Sequence, residues 1–141
     1  MSFNAFMAQN VKLVDSEKEI IVSDRFTNED GSVAKFKIRT ILSGEDAKMR
    51  QKCMMRVPVP GRPGLFQDKF DSLAYIRELV VKSLVEPDLA NAELQESYGV
   101  MGEEALLDKM LTAAEYNVLS EEVQNLNSIT PIQESIEEAK N

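Results

Sequence analysis

The stretch "VAKFKIRTIL", Val33 to Leu42, decides the fold class. Ala34, Phe36, Ile38 and Leu42 fall on one face of an extended chain, and Lys35, Lys37 and Arg39 fall on the other. Period two with one charged face predicts a half-buried β-strand, because successive strand side chains point to opposite sides. Upstream, Glu19-Ile20-Ile21-Val22-Ser23 reads as a second strand. Between them lies Asn28-Glu29-Asp30-Gly31-Ser32, whose Asp-Gly pair supplies the positive-φ backbone of a hairpin turn. A lone hairpin is marginal in water, so this one must pack on a larger body.

Helices supply that body. Ser43-Gly44-Glu45-Asp46 has the form of a capping box and opens a helix over about 44–56. Ala47, Cys53 and Met54 gather near one side of it, with Lys48, Arg50, Lys52 and Arg56 mostly outward. Pro58-Val59-Pro60-Gly61-Arg62-Pro63-Gly64 then breaks regular structure and reads as a linker. Phe70, Leu73, Ala74, Val80, Val81, Leu84 and Val85 follow helical spacing, with Tyr75, Ile76 and Leu79 alongside. Apolar residues cover most of that circumference, which predicts a central buried helix, ended by Pro87.

Three short helices are expected after Pro87. Asn91 caps one over Ala92 to Tyr98, Gly99 closes it in the left-handed region, and Val100 takes the apolar position beyond. Val100 and Met101 read as a plug between this helix and the next. Glu103-Glu104 begin a second helix, to Leu111, where acids suit the positive end of the helix dipole. Thr112-Ala113-Ala114-Glu115 is a capping box for the third, which carries Tyr116, Leu119, Val123 and Leu126 on one stripe. Phe3, Phe6 and Met7, in the otherwise ambiguous residues 1–17, could form a short helix that docks an apolar face. The expected fold is a single α+β domain over 1–127: an N-terminal β-hairpin (about 18–42) packed on a predominantly α-helical body (about 44–127). An acidic flexible tail over 128–141, with Glu134, Glu137 and Glu138, is expected to follow.

The chain's 141 residues suffice for one domain with a real core, and 43% hydrophobic against 28% charged residues is a globular balance. No apolar run is long enough for a transmembrane helix, and the first residues lack a signal-peptide pattern, so a cytoplasmic protein is expected. Cys53 stands alone, which excludes an internal disulfide. Charge is uneven: through Lys82 there are 14 basic and 11 acidic residues, and after it only Lys109 and Lys140 against 13 acids. An acidic half repels nucleic acid and anionic membrane, so neither is an expected partner. Solubility and steering toward a basic partner remain two readings of that asymmetry.

The catalytic inventory is sparse. With no His in the chain, Ser-His-Asp and Cys-His triads are excluded, as are Cys/His zinc sites. Neither GxGxxG nor GxxxxGK[ST] occurs, so no dinucleotide or P-loop signature is present. Glu103 and Glu104 are adjacent on a helix, where their side chains diverge, which favours a solvated first-turn role over paired acid–base work. Met49, Cys53, Met54 and Met55 could be soft-metal ligands, but core filling is the plainer reading. Pro60-Gly61-Arg62-Pro63 is a minimal PxxP, read more simply as linker. The basic faces from Lys35 to Arg62 lack interleaved exposed aromatics, so a solvated surface is preferred to phosphate binding. No catalytic residue, cofactor or metal site is assigned. The Tyr116, Leu119, Val123, Leu126 stripe is intramolecular core on one reading and a seam for a partner helix on the other.

The block "YIRELVVKSLVEPDLANAELQESYGVMGEEALLDKMLTAAEYNVLSEEVQNLN", residues 75–127, resembles the tail assembly chaperones of long-tailed phages and of defective prophages of Gram-positive bacteria. More narrowly it is similar to the XkdN-like family, typified by a protein of the PBSX prophage. A valine-rich helix ending in "PDL", then "AELQESYGVMG", "LLDKML" and "EYNVL", carry the likeness, and "FNAFMAQN" and "EIIVSDRF" extend it toward the N-terminus. The resemblance implies a non-enzymatic role in the bacterial host cytoplasm. Such proteins coat the long helical tape-measure protein, keep it soluble, and help tail-tube protein polymerise around it. They are not expected in the mature virion, and related systems add a C-terminal extension by frameshifting. A homo-oligomer is left open. The alternative is a structural virion protein, such as a tail-completion or tube-associated component.

Overall fold

The computed structural model describes residues 2–12 and 17–128. In chain order the strands and helices are β1 (Glu17–Ile20), β2 (Phe36–Arg39), α1 (Ser43–Lys52), β3 (Met54–Pro58), β4 (Phe66–Phe70), α2 (Ser72–Ser83), β5 (Leu84–Glu86), α3 (Ala92–Ser97), α4 (Glu103–Met110) and α5 (Ala113–Leu126). The fold is α+β, as the alternating and helical patterns predict.

Strand pairing forms where alternation is strongest. β1 runs antiparallel to β2, with Ile20 opposite Phe36 and Glu17 opposite Arg39. Phe36 and Ile38 are buried, while Lys37 and Arg39 are half-buried on the other face. Asp30-Gly31 does make a turn, closed by the Gly31 N–H donating to the Asn28 carbonyl at 2.9 Å. Gly31 takes a φ of +88°, which an L side chain adopts only at a cost. The connection is longer than a tight hairpin, however: it runs from Ile21 to Lys35, bridged at Thr27 and Val33.

α2 is the central helix. Asp71 caps it by accepting from the Ala74 N–H at 3.1 Å. It touches α1, α4, α5 and β5, which is why apolar residues ring it. Leu79 and Val80 on α2 join Ile38, Leu106, Leu107, Leu119 and Val123 in one core. Each such side chain stabilises the fold by about 1.5–3 kcal/mol on burial.

Several expected boundaries move. α1 begins without a capping box: Leu42 stands at the cap position with no side-chain hydrogen bond, and it is exposed rather than on the buried face. Asp46, the acid three residues on from Ser43, is held instead by Tyr75 and by Arg50, the latter at 2.8 Å. The helix stops at Lys52, and Met54 and Arg56 lie on β3. Helix is disfavoured there because Pro58 lacks an N–H and pushes Val57 toward extended backbone. β3 finds its hydrogen bonds in β4 instead, with Met54 opposite Phe70 and Pro58 opposite Phe66. The Pro/Gly segment is therefore a hairpin turn rather than a linker, held by Val59 and Arg62 hydrogen bonds to Leu65.

The central helix is also shorter than its periodicity suggests, because Phe70 belongs to β4 and Leu84 to β5. β5 adds to the free edge of β2, Leu84 opposite Ile38, making a three-stranded sheet ordered β1-β2-β5. Open edge hydrogen bonds outweigh helix continuation for those three residues. Phe3, Phe6 and Met7 lie in and beside two short 3-10 turns, exposed rather than docked. The expected acidic tail lies outside the described residues apart from Ser128.

Candidate partner-binding surface

The stripe on α5 is positioned by a complete capping box. The Glu115 N–H donates to Thr112 Oγ1 at 3.2 Å, and the Thr112 N–H donates to the Glu115 carboxylate at 2.8 Å. Leu119 and Val123 are fully buried, and Tyr116 and Leu126 are half-buried against the same core. All four residues are brought together, facing α2 and the sheet. The outward side of α5 shows Asn117, Val118, Glu121 and Asn125.

Open hollows lie elsewhere. Three hollows, of about 270, 230 and 580 Å³, meet at the Lys52–Glu78 ion pair beside α2. Together they make a shallow trough. Met49 lines it at the α1 end, among Lys48, Lys52 and Lys82 with Glu45 and Glu78. Glu103, Glu104 and Asp108 of α4 form an acidic wall, with Val81 and Ala105 between. Methionines stand on its margins: Met54 and Met55 at the base of β3, and Met101 before α4. Met101 is 92% exposed, so it plugs nothing. Its neighbour Val100 does pack on the core, in a Schellman ending. There the Val100 N–H donates to the Gln95 carbonyl at 3.1 Å and the Gly99 N–H to the Glu96 carbonyl at 2.9 Å. Asn91 caps the start of the same helix, accepting from the Leu94 N–H at 2.8 Å.

The β3–β4 hairpin is a second exposed feature. Its base is fixed: Phe70 packs on Tyr75 with ring centroids 5.6 Å apart, and the Asp71 N–H donates to the Cys53 carbonyl at 2.9 Å. Beyond the base it projects as an arm, with Met54 and Met55 exposed at its foot and Leu65 and Phe66 exposed toward its tip. Arg56 lies over the Phe66 ring, 4.9 Å from its centre. Sequence reasoning missed both surfaces. The signal for the arm was present, in two apolar-aromatic runs flanking a Gly/Pro turn.

Ion pairs lock the body under these surfaces. Arg25 reaches from the β1–β2 connection to Glu115 at 2.8 Å and to the Met110 carbonyl at 2.9 Å. The hydrogen bonds from Arg25 and then Ser23 hold the Glu115 carboxyl far below the usual carboxylate range. Tyr75 donates to Asp46, which also pairs with Arg50 at 2.8 Å. Burial, helped by Asp46, pushes the Tyr75 phenol up to about 12. For Asp46 burial works toward a raised value, yet the bonds from Tyr75 and Arg50 prevail and lower it. Burial and the nearby acids Glu78 and Asp71 push the Cys53 thiol up, away from the reactive thiolate. Cys53 and Met49 are core residues, while Met54 and Met55 sit on the arm, so the four sulfurs do not form one cluster. Among the described residues, no group of three or more Cys, Asp and Glu could hold a metal ion. No described helix is long and apolar enough to cross a membrane.

A family model for the phage XkdN-like tail assembly chaperone protein matches residues 3–140. The chain belongs to this family. The chaperone's fold is also that of a solved structure, the crystal structure of the protein YqbN, with a TM-score of 0.73. The match covers 92% of this chain and 98% of that one at 19% identity. No curated protein sequence matches the chaperone.

Proposed function

We propose that the protein acts in phage tail assembly by binding the tape-measure protein, through a helix laid in the trough beside α2. It keeps that partner soluble until tail-tube protein encloses it, in the cytoplasm of the bacterial host, and performs no enzymatic step. The observation that carries the reading is a methionine-margined trough on a member of a tail assembly chaperone family. Methionine is unbranched and polarizable, so it adapts to successive apolar side chains along a helix. A tape-measure chain with exposed apolar stripes aggregates unless something covers them. Tyr116, Leu119, Val123 and Leu126 contribute from beneath, by holding α5 against α2.

Co-expression with the cognate tape-measure protein tests this. The partner should move into the soluble fraction and co-purify. A partner equally insoluble with and without the chain ends the proposal. Mass spectrometry of finished tails should find none of the protein; its presence there would favour a structural virion component.

A further inference from the structure

Residues 129–141 follow the end of α5 and carry a pattern besides their acids. Thr130-Pro131-Ile132-Gln133 has the form of a helix start: a hydroxyl cap, proline at the first position, and Gln three residues after the cap. Ile132, Ile136 and Ala139 then share one face at helical spacing, with Glu137 and Glu138 to either side of it. An apolar stripe of that kind needs a surface to cover it.

α5 delivers this segment to one place. Asn127 at its end accepts from the Ile41 N–H at 2.9 Å and lies 3.5 Å from Ser83 Oγ, between the start of α1 and the end of α2. Leu42, next to Ile41, is exposed. Lys82, next to Ser83, lines the hollow of about 270 Å³ between α1 and α2, together with Lys48, Lys52 and Met49. Glu45 and Glu78 line it too, but Arg39 and Lys52 engage them. Lys48 and Lys82 have no ion-pair partner among the described residues. The hollow therefore joins Met49 and apolar lysine stems to two uncompensated cations.

We propose that residues 129–141 seat as a helix in the α1–α2 hollow of their own chain, Ile132 and Ile136 toward Leu42 and Met49, and Glu137 and Glu138 toward Lys48 and Lys82. A helix over 131–140 spans about 15 Å, as the ten residues of α1 do, so the segment fits beside α1. Its tether at Asn127 gives it a high effective concentration at this hollow, which favours it over the same segment of another copy. The seated segment occupies part of the trough that a partner helix needs, and so acts as a displaceable cover. That consequence rests on the tape-measure reading; the seating does not.

Amide hydrogen exchange of the full chain, read residue by residue by NMR, tests the seating. Amides of residues 132–139 should exchange about tenfold or more slowly than in an unstructured chain, and equally at every protein concentration. Ile132→Asp with Ile136→Asp should abolish that protection and shift the amide signals of Lys48, Met49 and Lys82. Lys48→Glu with Lys82→Glu should weaken the protection, and adding Glu137→Lys with Glu138→Lys should restore it. Lys48 and Lys82 are exposed, and unchanged exchange in α2 and α5 confirms that each variant folds. Free-chain exchange over 132–139 in the wild type overturns the proposal. So do α1 and α2 signals that ignore the isoleucine variant, or protection that grows with protein concentration. A synthetic helix from the cognate tape-measure protein should bind the isoleucine variant about fivefold or more tightly than the wild type. Equal affinity overturns the cover, whereas binding to neither ends the tape-measure reading and leaves the seating decided by the exchange data.

Discussion

The two sheets are built from similar residues and meet opposite fates. In β1-β2-β5 an alternating strand lays Phe36 and Ile38 on the core, and α5 covers them. In β3–β4 comparable apolar side chains, Met55, Leu65 and Phe66, face water. In both, each strand is paired antiparallel to its neighbour, with one register shift at Lys37/Ile38 in the first sheet. What differs is the helical support: α2 and α5 close over the first sheet, while the second rests on the body at its base, where Phe70 packs on Tyr75. Backbone pairing makes a sheet; burial of one face makes it part of the core.

The contrast can be broken most forcefully from inside. Ile38→Ala or Leu119→Ala removes a fully buried side chain and should cost about 2–5 kcal/mol in urea unfolding, with the whole domain melting together. A loss under 1 kcal/mol at either position would contradict the shared core. Acid should act next. Glu115 titrates lower in the folded chain than its ordinary 4.5, so its contribution is present above that pH and is lost as pH falls below it. Glu115→Gln should be less stable at neutral pH and should flatten the acid limb of a melting-temperature profile. An unchanged acid limb would show that the Arg25 bond contributes nothing.

Smaller effects come from the backbone and the arm. Gly99 closes α3 at φ +67° with open space around it. Gly99→Ala should therefore cost about 1–2 kcal/mol from left-handed strain alone, read by chemical denaturation. Last, Phe66→Ala should change folding stability by less than about 0.5 kcal/mol, because the arm carries none of the core. A loss as large as that of Ile38→Ala would make the two sheets equivalent.

Elements with strong local signals were legible in the sequence. The period-two pattern at Phe36 and Ile38, the capping box at Thr112 and Glu115, and the Asn91 and Gly99 ends of α3 all formed as their chemistry demands. Ser43 shows the limit of such signals. Its capping pattern was present, yet Asp46 turned to Arg50 and to Tyr75, a partner brought close only by the fold. Leu84 shows another, since helical spacing continued to Val85 while the open edge of β2 claimed the chain. The trough was not legible at all, because Met49, Met55, Val81 and Met101 come from four separate parts of the chain.

The sequence by itself determined the α+β class, the helix caps on α3 and α5, the missing catalytic inventory and the family likeness, because each rests on residues near one another along the chain. Only the tertiary structure decided that the α5 stripe faces inward, that the Pro/Gly segment turns an exposed arm, and that Met101 stands in water. Those outcomes depend on which surfaces meet across long chain separations, and hydrophobicity says that a face must be covered without saying by what.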